Sequence, residues 1–149
     1  MDWRVLEQLE EEGLVGYIEP HVVESEELSE EEELVQADDF ARRMLRIVLA
    51  LLMASESYHF FQLKQEDLVS LADWSQESLL EAIYAALTKE GWPVYLFLPE
   101  QTSLLVLDNS QACPVYSQNE AWLEKLTTLL DQEGLLMTDY KSRDISALS

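Results

Sequence analysis

Two histidines, one cysteine and 30 carboxylates are the side chains of this 149-residue chain best suited to acid-base, nucleophilic or metal chemistry. Their spacing assembles none of these. There is no Cys-x-x-Cys or His-x-x-x-His pair, and the four glycines, Gly13, Gly16, Gly91 and Gly134, do not cluster into a loop that could cradle a phosphate. His21 follows Pro20, and His59 lies in an aromatic run with Tyr58, Phe60 and Phe61, so both read as satisfied or solvent-facing imidazoles without partners at catalytic spacing. Cys113 precedes Pro114, and its nearest basic neighbour in sequence is Lys125, which predicts a buried thiol rather than an activated thiolate. Carboxylates are so numerous that an acid-base pair arises by chance, and the Glu-rich stretch lacks the alternating Asp/Asn ligands and central Gly of a calcium loop. The expectation is a protein that is not an enzyme, with no catalytic residue, no cofactor and no metal site.

The remaining composition is that of a folded chain. Apolar residues make up 48%, with four Trp, six Tyr and four Phe, enough to bury a core without disulfide or metal support. A single cysteine cannot form an internal disulfide, and Met1-Asp-Trp-Arg4 lacks the basic start and apolar core of a secretory signal, so a cytoplasmic setting is expected. The longest apolar run, Ile47 to Ala54, is eight residues, far short of the roughly 18 needed to span a bilayer. The formal charge of −21 should repel nucleic acid and anionic membranes alike.

That charge is uneven. Residues 1–40 hold 15 acids and one base, whereas residues 41–149 hold 15 acids and eight bases. Glu24 to Glu33 contains a single apolar residue, Leu28, and its like charges oppose compaction. The chain therefore divides into an N-terminal helix with an acidic linker or arm, residues 1–28, and a globular part, residues 29–149.

Within the globular part, Ser29 to Glu32 forms a capping box that starts a long core helix, with Asp38 as a rival cap. Leu34, Ala37, Ala41, Met44, Leu45, Val48, Leu51 and Leu52 recur at helical spacing, and Asp38/Arg42 and Asp39/Arg43 are i,i+4 pairs on its outer side. Leu63 to Leu71 reads as a short second helix, and Gln76 to Glu90 as a third, capped by Ser75 and ended at Gly91. Val94–Leu98 and Leu104–Leu107, separated by residues 99–103, signal a hairpin, and Asn119 to Gln132 a final amphipathic helix stopped at Gly134. Glu-Gly followed by apolar residues occurs at Gly13, Gly91 and Gly134; the usual glycine helix ending explains this more simply than internal duplication.

The succession from Asp39 to Asp108 resembles the winged-helix variant of the helix-turn-helix, with Leu63–Ala72 as second helix, Ser75–Leu87 as third and Val94–Leu107 as wing. That resemblance implies an α+β, mostly helical fold: a winged-helix-like core of three helices plus a β-hairpin, with a C-terminal helix and an acidic N-terminal arm. A DNA-reading member needs basic side chains on the third helix and wing. Here the third helix offers Glu77, Glu81 and Glu90 against Lys89, and the wing has no Lys or Arg. The chain is thus more similar to acidic winged helices that bind proteins.

The function expected is a non-catalytic adaptor or regulatory subunit that binds another protein with a basic surface. It should form a homodimer or hetero-oligomer and contact neither nucleic acid nor membrane. Two surfaces are candidates for the contact: the carboxylates Glu26, Glu27, Glu30, Glu31, Glu32 and Glu33, and the hairpin residues Tyr95, Phe97 and Leu105, because the hairpin is apolar at consecutive positions and needs cover on both faces. A DNA-mimic inhibitor of a basic nucleic-acid-binding protein and an acidic dimeric secretion chaperone are the alternatives.

Overall fold

Antiparallel pairing, more than helix packing, organises the molecule. The computed structural model describes residues 3–20, 30–88, 91–108 and 113–139. In chain order it contains α1 (Trp3–Glu12), β1 (Leu14–Pro20), α2 (Glu30–Met53), β2 (His59–Lys64), β3 (Asp67–Ser70), α3 (Gln76–Leu87), β4 (Val94–Leu98), β5 (Ser103–Leu107), β6 (Cys113–Ser117), α4 (Glu120–Gln132) and β7 (Leu135–Asp139), with one 3-10 turn at Pro99–Gln101. The strands form a single sheet in the order β3-β2-β4-β5-β6-β1-β7, and every neighbouring pair is antiparallel.

The fold is therefore α+β, but three helices plus a hairpin describe it poorly, and it is not mostly helical in plan. The main correction falls on residues 63–71. They form the end of β2 and all of β3, with Phe61 opposite Ser70 and Lys64 opposite Asp67. Gln65 turns the chain at a left-handed φ of 59°, a conformation usually signalled by Gly or Asn, so the turn had no sequence mark.

Alternation along the hairpin explains its two-sided apolarity. Val94, Leu96, Leu98, Leu105 and Leu107 face the large cluster formed with α2, α3 and α4, including Phe40, Met44, Ile83 and Leu126. Phe97, Leu104 and Val106 face the other way and are covered by Leu6 and Leu9 of α1, together with Phe61. Both faces find their cover inside the chain. The helix expected at the N-terminus is present, but the segment following it is structural: β1 is inserted between β6 and β7, so the boundary drawn at residue 28 does not separate residues 3–20 from the sheet. Residues 21–29, with the expected linker and the Ser29 cap, lie outside the described residues.

Close approach requires glycine at position 16 and a left-handed backbone favours it at position 134. A Cβ on Gly16 would lie 2.2 Å from the Thr138 carbonyl oxygen of the adjoining strand, and Gly134 ends α4 at φ +70°. Arg43 of α2 sits against that ending and donates from Nη1 to the Glu133 carbonyl oxygen, while Arg46 pairs with the Glu133 carboxylate at 2.7 Å. Cations thus meet the C-terminal end of the α4 dipole and fasten α4 to α2.

Candidate docking groove

Between α2 and α3, above the start of β2, runs a groove of about 560 Å³ whose walls are largely aliphatic and aromatic, with His59, Ser70 and Gln76 also lining it. Val48, Leu49 and Leu52 form one wall, Leu79, Leu80 and Ile83 the other, and Tyr58, Phe60 and Leu71 the end towards the sheet. The local sequence sets this geometry. The Trp74 amide donates to the Leu71 carbonyl at 3.1 Å, closing a turn, and the Ser75 hydroxyl accepts from the Ser78 amide at 3.1 Å, capping α3 immediately afterwards. Trp74 is thereby held at the rim. Tyr58 stands edge-on to Phe60 with ring centroids 5.7 Å apart.

Three large apolar side chains of the groove remain open to solvent: Leu49 is 40% exposed, Tyr58 45% and Trp74 39%. The polar fastening of the two helices lies elsewhere. Tyr84 of α3 donates to Asp38 of α2, which also accepts from Arg42 at 2.8 Å. These bonds, with that of Tyr84 the larger influence, hold the Asp38 carboxyl below the usual carboxylate range. Around the groove, residues 54–88 carry six acids, Glu56, Glu66, Asp67, Asp73, Glu77 and Glu81, against one Lys or Arg, Lys64.

Beside the groove lies an open sheet edge. Among the described residues β3 pairs only with β2. The Leu71 amide donates to the Phe60 carbonyl at 2.9 Å, whereas the Leu63 amide turns the other way, to Pro93 at 2.9 Å. With the antiparallel alternation this directs the main-chain N–H and C=O of Leu68 and Ser70 away from β2.

The residues expected to bind a partner are dispersed. Glu30 to Glu33 occupy the first turn of α2 and are exposed, as are Leu34 and Val35 after them; the first buried residue of the helix is Ala37. Glu26 and Glu27 lie outside the described residues. Phe97 and Leu105 are buried on opposite faces of the sheet, and Tyr95 is half-buried beside the α1 cluster. Burial, followed by the charge of Glu10, pushes the Tyr95 hydroxyl up to about 12. The hairpin is thus occupied as core, while Leu49, Tyr58 and Trp74 are the exposed apolar residues that sequence reasoning missed. A signal existed: an eight-residue apolar run from Ile47 to Ala54 is wider than one helix face, so part of it must look outward.

The chemical side chains remain apart. His59 stacks on Phe61 and lies beside Phe97, with centroids 6.4 and 6.5 Å away, and Cys113 is fully buried, its thiol pushed up to about 12 by desolvation. His21 lies outside the described residues. Among the described residues no three His, Cys, Asp or Glu side chains gather as a metal site, and no helix is long and apolar enough to cross a membrane. A smaller cavity of about 340 Å³ opens between α2 and α4, lined by Ala50, Trp122 and Lys125 among others. Comparison with protein-family models, curated protein sequences and solved structures finds no match.

Proposed function

We propose that the protein is a non-catalytic adaptor or regulatory subunit that binds another protein through the groove between α2 and α3. The observation carrying this reading is the set of three solvent-open apolar side chains, Leu49, Tyr58 and Trp74, lining one concave surface. Aromatic and aliphatic groups that converge in a cleft are the usual anchors of a protein interface, where they supply most of the binding energy. The acidic surroundings favour a partner with basic residues and speed its encounter.

The test is quantitative co-purification from the native cell with Leu49→Glu and Trp74→Ala variants, using Leu136→Ala on β7 as a remote exposed control. A partner retained by the wild type and the control, and lost from both groove variants at unchanged melting temperature, is the expected outcome. A partner retained equally by all four proteins rejects the groove.

A second reading gains from the seven strands, which supply the strand-rich body that a secretion chaperone needs. That reading requires a dimer, so a monomer in light scattering over a wide concentration range rejects it.

A further inference from the structure

We infer that the groove's occupant is an extended segment of the partner, carrying both apolar and basic side chains, which adds to β3 as an eighth strand. This inference rests on the groove being the binding site and specifies what fills it.

The free edge supplies the main-chain half of the recognition. Leu68 and Ser70 direct unpaired ladder positions outward from β3. An incoming strand can satisfy both at once, whereas a docked helix has its backbone groups engaged internally. Edge strands are commonly guarded by Pro, Lys or a bulge. β3, Asp67-Leu-Val-Ser70, is short and charged only at Asp67; it contains no Pro or Lys, and its pairing with β2 runs without a register shift.

The side-chain half follows from the alternation of a strand. Val69 pairs with Gln62, on the sheet face shared with Phe60, and is 40% exposed; Leu71 continues that face into the groove. Alternate residues of an added strand would lie on this face and present apolar groups towards the groove. The same side of the sheet carries Asp67, two positions before Val69, and α3, whose exposed Glu77 and Glu81 are matched by no Lys or Arg within the helix. Charge also decides against a second copy of this chain as occupant, because it would set two surfaces of a chain with formal charge −21 against each other. Lys and Arg in the incoming strand meet the opposite condition, and the exposed aromatic side chains of Trp74 and Tyr58 line the groove that they would enter.

The closing experiment pans a displayed library of random dodecapeptides against the full chain. Enriched peptides are synthesised and titrated by anisotropy into wild type, Ser70→Pro, Ser70→Ala and Trp74→Ala. Proline at position 70 removes an outward N–H and leaves the β2 ladder intact, a placement that edge strands tolerate. Ser70→Ala controls for the bond from the Ala72 amide to the Ser70 hydroxyl. The expected peptides combine apolar residues with Lys or Arg, bind Ser70→Pro about tenfold more weakly or worse, bind Ser70→Ala nearly normally and weaken with added salt. They also slow amide exchange at Leu68 and Ser70 of the wild type, a readout that does not depend on any variant folding. Peptides that need Trp74 but bind Ser70→Pro unchanged, leave those amides unprotected or show helical spacing overturn the strand inference and leave the groove reading standing. A library yielding no peptide dependent on Trp74 overturns both.

Discussion

The Nη1 of Arg43 donates to the main-chain carbonyl of Glu133, ninety residues further along the chain, and lies where a Cβ on Gly134 would fall, 2.7 Å away. One guanidinium therefore completes a helix ending and crowds the position of a Gly134 side chain, whose φ of +70° is what favours glycine there. Arg43→Ala should cost about 1–3 kcal/mol in urea unfolding, as expected for a charge-assisted hydrogen bond. Gly134→Ala should also destabilise, through both the positive φ and the contact. The double variant should be more stable than the sum of the single losses predicts, because removing Arg43 relieves the contact and leaves only the backbone penalty.

Gly16→Ala tests the seam between β1 and β7. Its Cβ would press on main chain rather than on a flexible side chain, so the strands must part. A loss of about 1–3 kcal/mol is expected. Amide exchange should accelerate in residues 135–139 ahead of the β4–β5 hairpin.

Cys113 should resist alkylation by iodoacetamide in the native protein at pH 8 and react promptly in denaturant. Its thiol is buried and pushed from 9.0 up to about 12. The sign for stability follows: below pH 9 the thiol is protonated both folded and unfolded and gives no slope, and between pH 9 and about 12 the unfolded chain loses its proton first, so stability falls. Cys113→Ala should flatten that part of the curve, with the half-buried Tyr95 and Tyr116 hydroxyls, both raised by burial, contributing remaining slope in the same direction.

Tyr84→Phe should raise the Asp38 pKa towards its ordinary value, measured by carboxyl-carbon NMR titration, since the Tyr84 hydrogen bond is the largest influence lowering it. The stabilisation from this group is present above the unfolded pKa near 3.8 and is lost as pH falls through the lower folded value. Wild type should therefore lose its advantage over Tyr84→Phe in strong acid.

Local signals in the sequence located much of this architecture. Ser75 and Asn119 cap α3 and α4 where their side chains and following apolar positions indicate, with amide bonds from Ser78 and Trp122 to the capping oxygens, both 3.1 Å. Val94 to Leu107 is a hairpin because its two apolar runs flank Pro99 and a left-handed Thr102. The strands that sequence reasoning missed lack such marks. Gln65 supplies the β2–β3 turn in place of a glycine, and Pro114 sits within β6, where a proline argues against an interior strand. β6 accommodates it because the pairing with β5 runs from Ser117 only to Val115. The groove was illegible for a different reason: Leu49, Tyr58 and Trp74 come from three segments and become neighbours only when β2 and α3 pack beside α2.

The position of β1 imposes an order on synthesis. Residues 14–20 pair with residues 113–116 on one side and 135–139 on the other, so an early-translated segment has both partners among the last parts of the sheet to leave the ribosome. Until then α1 has no complete surface to settle on, and the aromatic face around Phe61 and Phe97 stays open in the nascent chain. The interval between making β1 and making β7 is therefore the stage at which this apolar face has least cover from its own chain.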